Sequence, residues 1–210
     1  MKLYLSSYKL GNDVSFLQKW MHDNGNKILV IPNALDDIED KNEKNNIIKE
    51  RCLDLETLGF ELEILDLVDY FEKDIKNVLK DKKTFYVLGG NVFILNRAMI
   101  LSGFNEFLKS KIDDDSILYA GFSAGICVLA NHLDGLDLVV DPKIDPYKSN
   151  IDTMKGIGIL DYLPVPHYKS NHKASLLIDK VVEYLDKNNI KYRTLKDGEV
   201  IVESTKNSNI

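Results

Sequence analysis

A short glycine–serine turn between two apolar runs constrains the fold more than any other part of this sequence. Residues 118–130 read LYAGFSAGICVLA, and Ser123 stands between Gly121 and Gly125. The pattern predicts a buried strand that turns sharply into an apolar helix. At such a corner the serine side chain is exposed, as a nucleophile must be. The alternative is that Ser123 only caps the helix and the glycines only make the turn. The position between a buried strand and an apolar helix favours the nucleophile.

Apolar runs of strand length alternate along the chain with segments of helical periodicity. Strands are predicted for residues 2–6, 27–34, 60–67, 84–88 and 116–121, and helices for residues 40–58, 92–101, 105–112 and 173–187. This alternation predicts an α/β fold, a mostly parallel sheet with helices on both faces. Two further strands, at residues 191–195 and 199–203, flank Asp197-Gly198, a dipeptide typical of hairpin turns. We therefore expect a C-terminal β-hairpin that adds an antiparallel edge.

Length and composition exclude several classes of protein. The 210 residues suffice for one sizeable core, so a single domain over residues 1–210 is expected. The net charge is -6 with both signs interspersed, which argues against a nucleic-acid partner. No apolar run approaches the roughly 20 residues of a membrane helix, and the first residues lack a signal-peptide core. The two cysteines, Cys52 and Cys127, indicate neither disulfides nor a metal site, so a cytoplasmic protein without metal is expected.

Two consecutive glycines follow another predicted strand, earlier in the chain than the serine. In residues 86–93, YVLGGNVF, the amides of Gly89 and Gly90 could form one half of an oxyanion hole, and the N–H of Ala124 the other half. Asn91 could cap the following helix or orient the loop. The alternative is a plain strand-to-helix turn. Neither a Walker lysine nor a G-x-G-x-x-G pattern follows, so no nucleotide or other cofactor is expected.

A serine needs a base to act as a nucleophile at neutral pH, and His167 is the favoured candidate. It ends the apolar, proline-containing segment LDYLPVPHYKS, which would hold an imidazole in place on a loop. His22 and His132 have structural explanations, and His172 lies in a polar loop. Cys127, one helical turn beyond Ser123, is interpreted as a small buried hydrophobe.

The acid that would orient the base is harder to select. The segment HLDGLDLVVDPKIDP offers several aspartates, and two of them precede prolines in apparent turns. Asp137 is flanked by apolar residues and is preferred, with Asp141 as the second choice. Glu183, on a predicted helix, is disfavoured.

Three segments together resemble the dipeptidase E (aspartyl dipeptidase) family of serine peptidases. They are YVLGGNVFIL, GFSAG and GILDYLPVPHY, and the resemblance covers nearly the whole chain in order and length. It implies a class I glutamine amidotransferase-like fold, a flavodoxin-like three-layer sandwich. It also implies Ser123 as nucleophile, His167 as base and Gly90 with Ala124 as oxyanion donors. The family has a third acid soon after the serine, for which Asp137 is the nearest match.

The resemblance leaves the substrate open. Aspartyl dipeptidases hold the substrate aspartate with an arginine beyond the histidine, and HYKSNHKASLL contains none. Lysine does not reproduce the bidentate grip of arginine, so strict Asp-X specificity is not expected. Asn91, Lys169 and Lys173 are the candidate substrate-binding residues. The expected activity is hydrolysis of short peptides through an acyl-enzyme, by a monomer or homodimer. The alternatives are a non-catalytic peptide-binding relative and an α/β-hydrolase-type esterase.

Overall fold

The computed structural model describes residues 1–205, so the last five residues of the expected domain lie outside it. Within that range the strands are β1 (Lys2–Ser6), β2 (Lys27–Ile31), β3 (Glu61–Ile64), β4 (Thr84–Val87), β5 (Leu118–Phe122), β6 (Leu163–Val165), β7 (Tyr192–Thr194) and β8 (Val200–Ser204). The α-helices are α1 (Ser15–Asn24), α2 (Lys41–Leu58), α3 (Lys76–Leu79), α4 (Val92–Ser102), α5 (Phe104–Ser110), α6 (Ala124–Cys127) and α7 (Ser175–Lys187). No helix in the described part of the chain is long and apolar enough to cross a bilayer.

Six strands form the central sheet in the order β3-β2-β4-β5-β1-β8. The first five are parallel, and β8 runs antiparallel to β1 at the edge. Strands β4 and β5 are buried along their whole length, as expected for parallel strands covered on both faces. The predicted mostly parallel α/β sheet with an antiparallel edge is confirmed.

The expected C-terminal hairpin is corrected in one respect. Strands β7 and β8 form where the sequence predicts them and the chain turns between them, but they pair with different neighbours. Strand β7 runs parallel to β6 in a separate two-stranded sheet, whereas β8 joins the central sheet. The turn at Asp197-Gly198 therefore connects two sheets.

Helices cover both faces of the central sheet. On one face the core includes Leu17 and Trp20 of α1 and Ile48 and Leu55 of α2. On the other face it is built from apolar residues of α4, α5, α6 and α7. The helices on the two faces pack their apolar residues against the sheet, which gives the three layers of the expected sandwich.

The loops that carry the predicted site residues lie at one edge of the central sheet. The parallel strands β1, β4 and β5 all end there, since parallel strands share one carboxyl edge. Strand β8 is antiparallel, so it begins at that same edge. Its register pairs Ser6 with Val200, and the backbone N–H of Ser7 donates to the carbonyl of Glu199 at 3.2 Å. The chain between β7 and β8 consequently lies beside the ends of the parallel strands.

Candidate active site

The corner between β5 and α6 has the strained geometry that the sequence predicts. Ser123 adopts φ 52° and ψ −120°, a conformation that residues with a side chain rarely take. A Cβ on Gly121 would lie 2.9 Å from the carbonyl oxygen of Val87, and one on Gly125 would overlap with that oxygen. The Ser123 side chain makes no capping hydrogen bond to the helix. The Ser123 hydroxyl therefore does not cap the helix and is available for another partner.

That hydroxyl meets the imidazole of His167. The Nε2 atom of His167 lies 3.0 Å from the Oγ atom of Ser123, and its Nδ1 atom lies 2.7 Å from the Oδ1 atom of Asp197. His167 is 4% exposed and takes a left-handed backbone conformation, with φ 63°, directly after β6. A proton on Nδ1 donated to the carboxylate would leave Nε2 free to accept the Ser123 hydroxyl proton.

Asp197 reaches the imidazole because β6 and β7 are parallel. His167 follows the end of β6 and Asp197 follows the end of β7, so both leave the small sheet at the same end. Leu195 locks the two strand ends together, since its N–H donates to Val165 and its carbonyl accepts from the N–H of Tyr168.

Two serines fix the carboxylate and the imidazole relative to each other. Ser7, just after β1, accepts from the backbone N–H of His167 at 2.8 Å and donates to the Asp197 carboxylate at 2.9 Å. The hydroxyl of Ser170 accepts from the backbone N–H of Asp197 at 2.7 Å. Four chain segments therefore converge on one hydrogen-bonded line from Ser123 through His167 to Asp197.

Neither of the two acids favoured by the sequence contacts His167, which corrects that expectation. Asp137 is exposed, and its carboxylate accepts from the backbone N–H of Gly135 in a local turn. Asp141 is exposed too, and its carboxylate accepts from the N–H of Lys143. The apolar neighbours of Asp137 favoured it as a buried acid, whereas the acid in contact with His167 comes from the loop predicted as a hairpin turn.

Burial and stacking set the electrostatics of His167. Burial lowers the pKa of its imidazole below 6.5, the nearby His172 lowers it further, and the hydrogen bond to Asp197 opposes the shift. The ring of His172 stacks on that of His167 at a centroid distance of 3.7 Å and an angle of 9°. The Nδ1 atom of His172 accepts from the N–H of Ala174 at 3.2 Å, which favours the neutral ring. The site thus favours a neutral imidazole beside Ser123.

Two backbone N–H groups at this edge have no acceptor within residues 1–205. They belong to Ala124, at the start of α6, and to Gly90, after β4. A side chain on Gly90, where φ is 145°, would overlap with the carbonyl of Ala34. A Cβ on Gly89 would lie 2.9 Å from the Cβ atom of Ser123, so this loop packs directly against the elbow. Both predicted oxyanion donors therefore have a free N–H beside the serine.

A cavity of about 600 Å³ opens over Ser123. It is lined by the elbow, the Gly89–Gly90 loop, His167 and His172, together with Tyr8, Arg51, Asp37, Asp141 and Lys173. Asn91 also lines it, but its carboxamide oxygen caps α4 by accepting from the N–H groups of Phe93 and Ile94. Lys169 lies outside this cavity, exposed and over the ring of Tyr168. Of the predicted substrate-binding residues, the structure places Lys173 and Asn91 at the cavity.

The fold and the site define a class of protein: an α/β protein with a strained serine, an imidazole and a carboxylate in one hydrogen-bonded line. The sequence matches peptidase family S51 over residues 7–209. The chain belongs to this family of serine-type peptidases, and its predicted membership of the dipeptidase E family is confirmed.

The chain is also similar to proteins of known sequence or structure. An uncharacterized peptidase of Listeria monocytogenes, Lmo0363, is 26% identical over 136 residues, which is 65% of this chain and 64% of that protein. The match therefore spans less than two thirds of the relative's length. The crystal structure of a candidate peptidase E protein from Listeria monocytogenes EGD-e superposes with a TM-score of 0.72 at 21% identity, over 97% of this chain and 98% of that one. A peptidase from an acI-B1 Actinobacterium gives a TM-score of 0.70 at 20% identity, over 97% and 83%. These two structures confirm the fold.

Proposed function

We propose that this protein is a cytoplasmic serine peptidase that hydrolyses short peptides, with Ser123 as nucleophile, His167 as general base and Asp197 as the orienting acid. The observation that carries the proposal is the hydrogen-bonded line from Ser123 through His167 to Asp197 at the floor of an open cavity. This is the arrangement that activates a serine at neutral pH, whatever the fold.

The proposed reaction assigns each step to a group at or near Ser123. The Oγ atom of Ser123 attacks the peptide carbonyl while His167 takes the hydroxyl proton at Nε2. The negative charge that forms on the carbonyl oxygen is stabilised by the N–H groups of Gly90 and Ala124. His167 then gives its proton to the leaving amine, and water releases the acyl group from Ser123 by the same steps in reverse.

The cavity supports a short substrate with charged ends. Its volume of about 600 Å³ lies within the range of pockets that bind small molecules. Lys173 is a cation at the rim for a substrate carboxylate, and Asp37 and Asp141 are anions for an ammonium group. Dipeptides carry both groups, and Asp-X dipeptides are among the candidates.

Two features favour catalysis over peptide binding without turnover. The strain at Ser123 costs free energy, on the order of 1–3 kcal/mol for such a conformation, and binding alone does not require it. The N–H groups of Gly90 and Ala124 have no acceptor in the described part of the chain, as expected where a charge forms during reaction.

The test is hydrolysis of a panel by wild type and Ser123→Ala. The panel holds Asp-X dipeptides, dipeptides with neutral and basic first residues, and an activated ester. Peptide cleavage by the wild type that is lost in Ser123→Ala supports the proposal and identifies the substrate. Ser123-dependent cleavage of the ester alone would support the esterase, and no Ser123-dependent turnover of any compound would contradict a peptidase of short substrates.

A further inference from the structure

Arg51 is a charged residue at the cavity that the proposed mechanism does not use. It lies on α2 and is half-buried, and its Nη1 atom donates to the carbonyl oxygen of Gly89 at 2.6 Å. No carboxylate within residues 1–205 forms an ion pair with it. Burial lowers the pKa of its guanidinium, which nevertheless stays charged at neutral pH. The guanidinium also lies over the ring of Phe122, 5.9 Å from its centroid, and within residues 1–205 its one hydrogen bond is the one to Gly89.

The contacted carbonyl belongs to the peptide that carries the Gly90 N–H. In a planar trans peptide the C=O and the following N–H point in opposite directions. Arg51 approaches from α2, which packs on one face of the sheet, whereas Ala124 belongs to the core of the other face. The carbonyl that faces Arg51 therefore directs the N–H of Gly90 toward the side on which Ala124 offers its own N–H.

No other hydrogen bond within residues 1–205 holds this peptide. It joins two glycines, so the dihedral angles on both sides are unusually free. The next peptide along is anchored, because the N–H of Asn91 donates to the carbonyl of Ala34 at 2.8 Å. The Arg51 hydrogen bond is short and charge-assisted, which makes it stronger than a neutral one.

We propose that Arg51 is a positioning residue that holds the Gly89–Gly90 peptide so that the Gly90 N–H faces the oxyanion. This inference rests on the proposed function, because it assigns Arg51 to the transition state of that reaction. It differs from a direct grip of Arg51 on a substrate carboxylate, which would act on binding: on acidic peptides only if a side chain is held, and on every peptide if the C-terminal carboxylate is held.

The kinetic test uses the best acidic and the best neutral peptide that the wild type cleaves. For Arg51→Met we expect kcat to fall about 10- to 100-fold on both peptides with KM little changed, because loss of an oxyanion donor acts in the transition state. Arg51→Lys should recover part of the loss, since an ammonium keeps the charge and can donate one hydrogen bond. Lys49→Met removes an exposed positive charge from the same helix and should match the wild type.

A crystal structure of Arg51→Met gives a readout that does not depend on activity. We expect the Gly89–Gly90 peptide to be rotated or to adopt two orientations. An unchanged orientation of the Gly89–Gly90 peptide would overturn the proposal, as would a rise of KM with kcat unchanged, whether on the acidic peptide alone or on both peptides. Absence of wild-type turnover would contradict the proposed function alone, because the peptide orientation in the variant still tests the role of Arg51.

Discussion

The corner at Ser123 and the loop at Asp197 flank the same imidazole, but they are held in different ways. The corner depends on its own glycines, Gly121 and Gly125, which lie against the neighbouring strand where no further atom fits. The loop depends on three hydrogen bonds of Asp197: its carboxylate accepts from Ser7 and bonds to His167, and its backbone N–H donates to Ser170. Ser7 lies far in sequence from the segment that carries His167 and Ser170. The Asp197 side chain is also more exposed than that of His167, at 24% against 6%.

This difference separates two ways of building one site. Backbone shape fixes the nucleophile, so added volume at the corner should abolish activity in one step. Converging hydrogen bonds fix the acid, so single deletions around the loop should reduce activity by degrees. Substitutions at the Ser123 corner and around the Asp197 loop test whether the two parts are held in these different ways.

Gly125→Ala should have a larger effect than Ser7→Ala, His172→Phe or Cys127→Ala. Its Cβ would overlap with the carbonyl oxygen of Val87 and move the elbow, and a displacement near 1 Å can cost about 100-fold in rate. We expect kcat/KM to fall at least about 100-fold. Gly103→Ala, where no atom lies within 4 Å, should keep kcat/KM although it is less stable in urea. Full activity of Gly125→Ala would show that packing does not fix the corner.

Ser7→Ala should have an intermediate effect. It removes the hydroxyl between the His167 N–H and the Asp197 carboxylate, so both lose a hydrogen bond. We expect kcat/KM to fall about 10-fold, equivalent to about 1.4 kcal/mol. Ser6→Ala, one residue earlier, loses only a hydrogen bond to the carbonyl of Tyr8 and should match the wild type. Equal kinetics for both variants would mean that Ser7 does not hold the loop.

The pH dependence of kcat/KM should show a smaller effect, a shift in a defined direction. The groups facing His167 are Ser123, Asp197, His172 and Tyr8. Near His172 lie Lys173 and Arg51. Because burial lowers the pKa of His167 and only the neutral imidazole is a base, the acid limb of kcat/KM should have its midpoint below pH 6.5. His172→Phe keeps a stacked ring and removes a neighbour that lowers this pKa, so the midpoint should rise. A downward shift in His172→Phe would contradict this reasoning.

Cys127→Ala should have the smallest effect. Burial raises the pKa of the thiol to about 12, and the sulfur lies 3.3 Å from the carbonyl oxygen of Pro164. We therefore expect kcat/KM to equal that of the wild type and iodoacetamide to leave the native enzyme active. Inactivation by iodoacetamide that Cys127→Ala prevents would indicate a reactive thiol at the site.

The sequence was sufficient for the parts of the molecule that local chemistry determines. The elbow at Ser123 is encoded within five residues, and His167 follows an apolar strand with its own prolines. The alternation of strands and helices predicts the layered sheet, and α2 and α4 begin and end within one residue of the predicted bounds.

The remaining parts depend on which strands become neighbours. Asp197 looked like a turn residue because Asp-Gly is a strong hairpin signal, and only the pairing of β7 with β6 brings it to His167. Arg51 lies on a helix with no motif around it, and it reaches Gly89 only because α2 packs beside β4. No signal within either segment could have identified these contacts.

The most direct test of the account compares Asp197→Asn with Asp137→Asn on a peptide that the wild type cleaves. Asparagine at 197 keeps the shape but removes the charge that orients and stabilises the protonated imidazole, so kcat should fall about 10³- to 10⁴-fold. Asp137→Asn should leave kcat unchanged, because that carboxylate lies in an exposed turn. The opposite result, full activity of Asp197→Asn and a large loss in Asp137→Asn, would contradict the assignment of the acid and with it the proposed site.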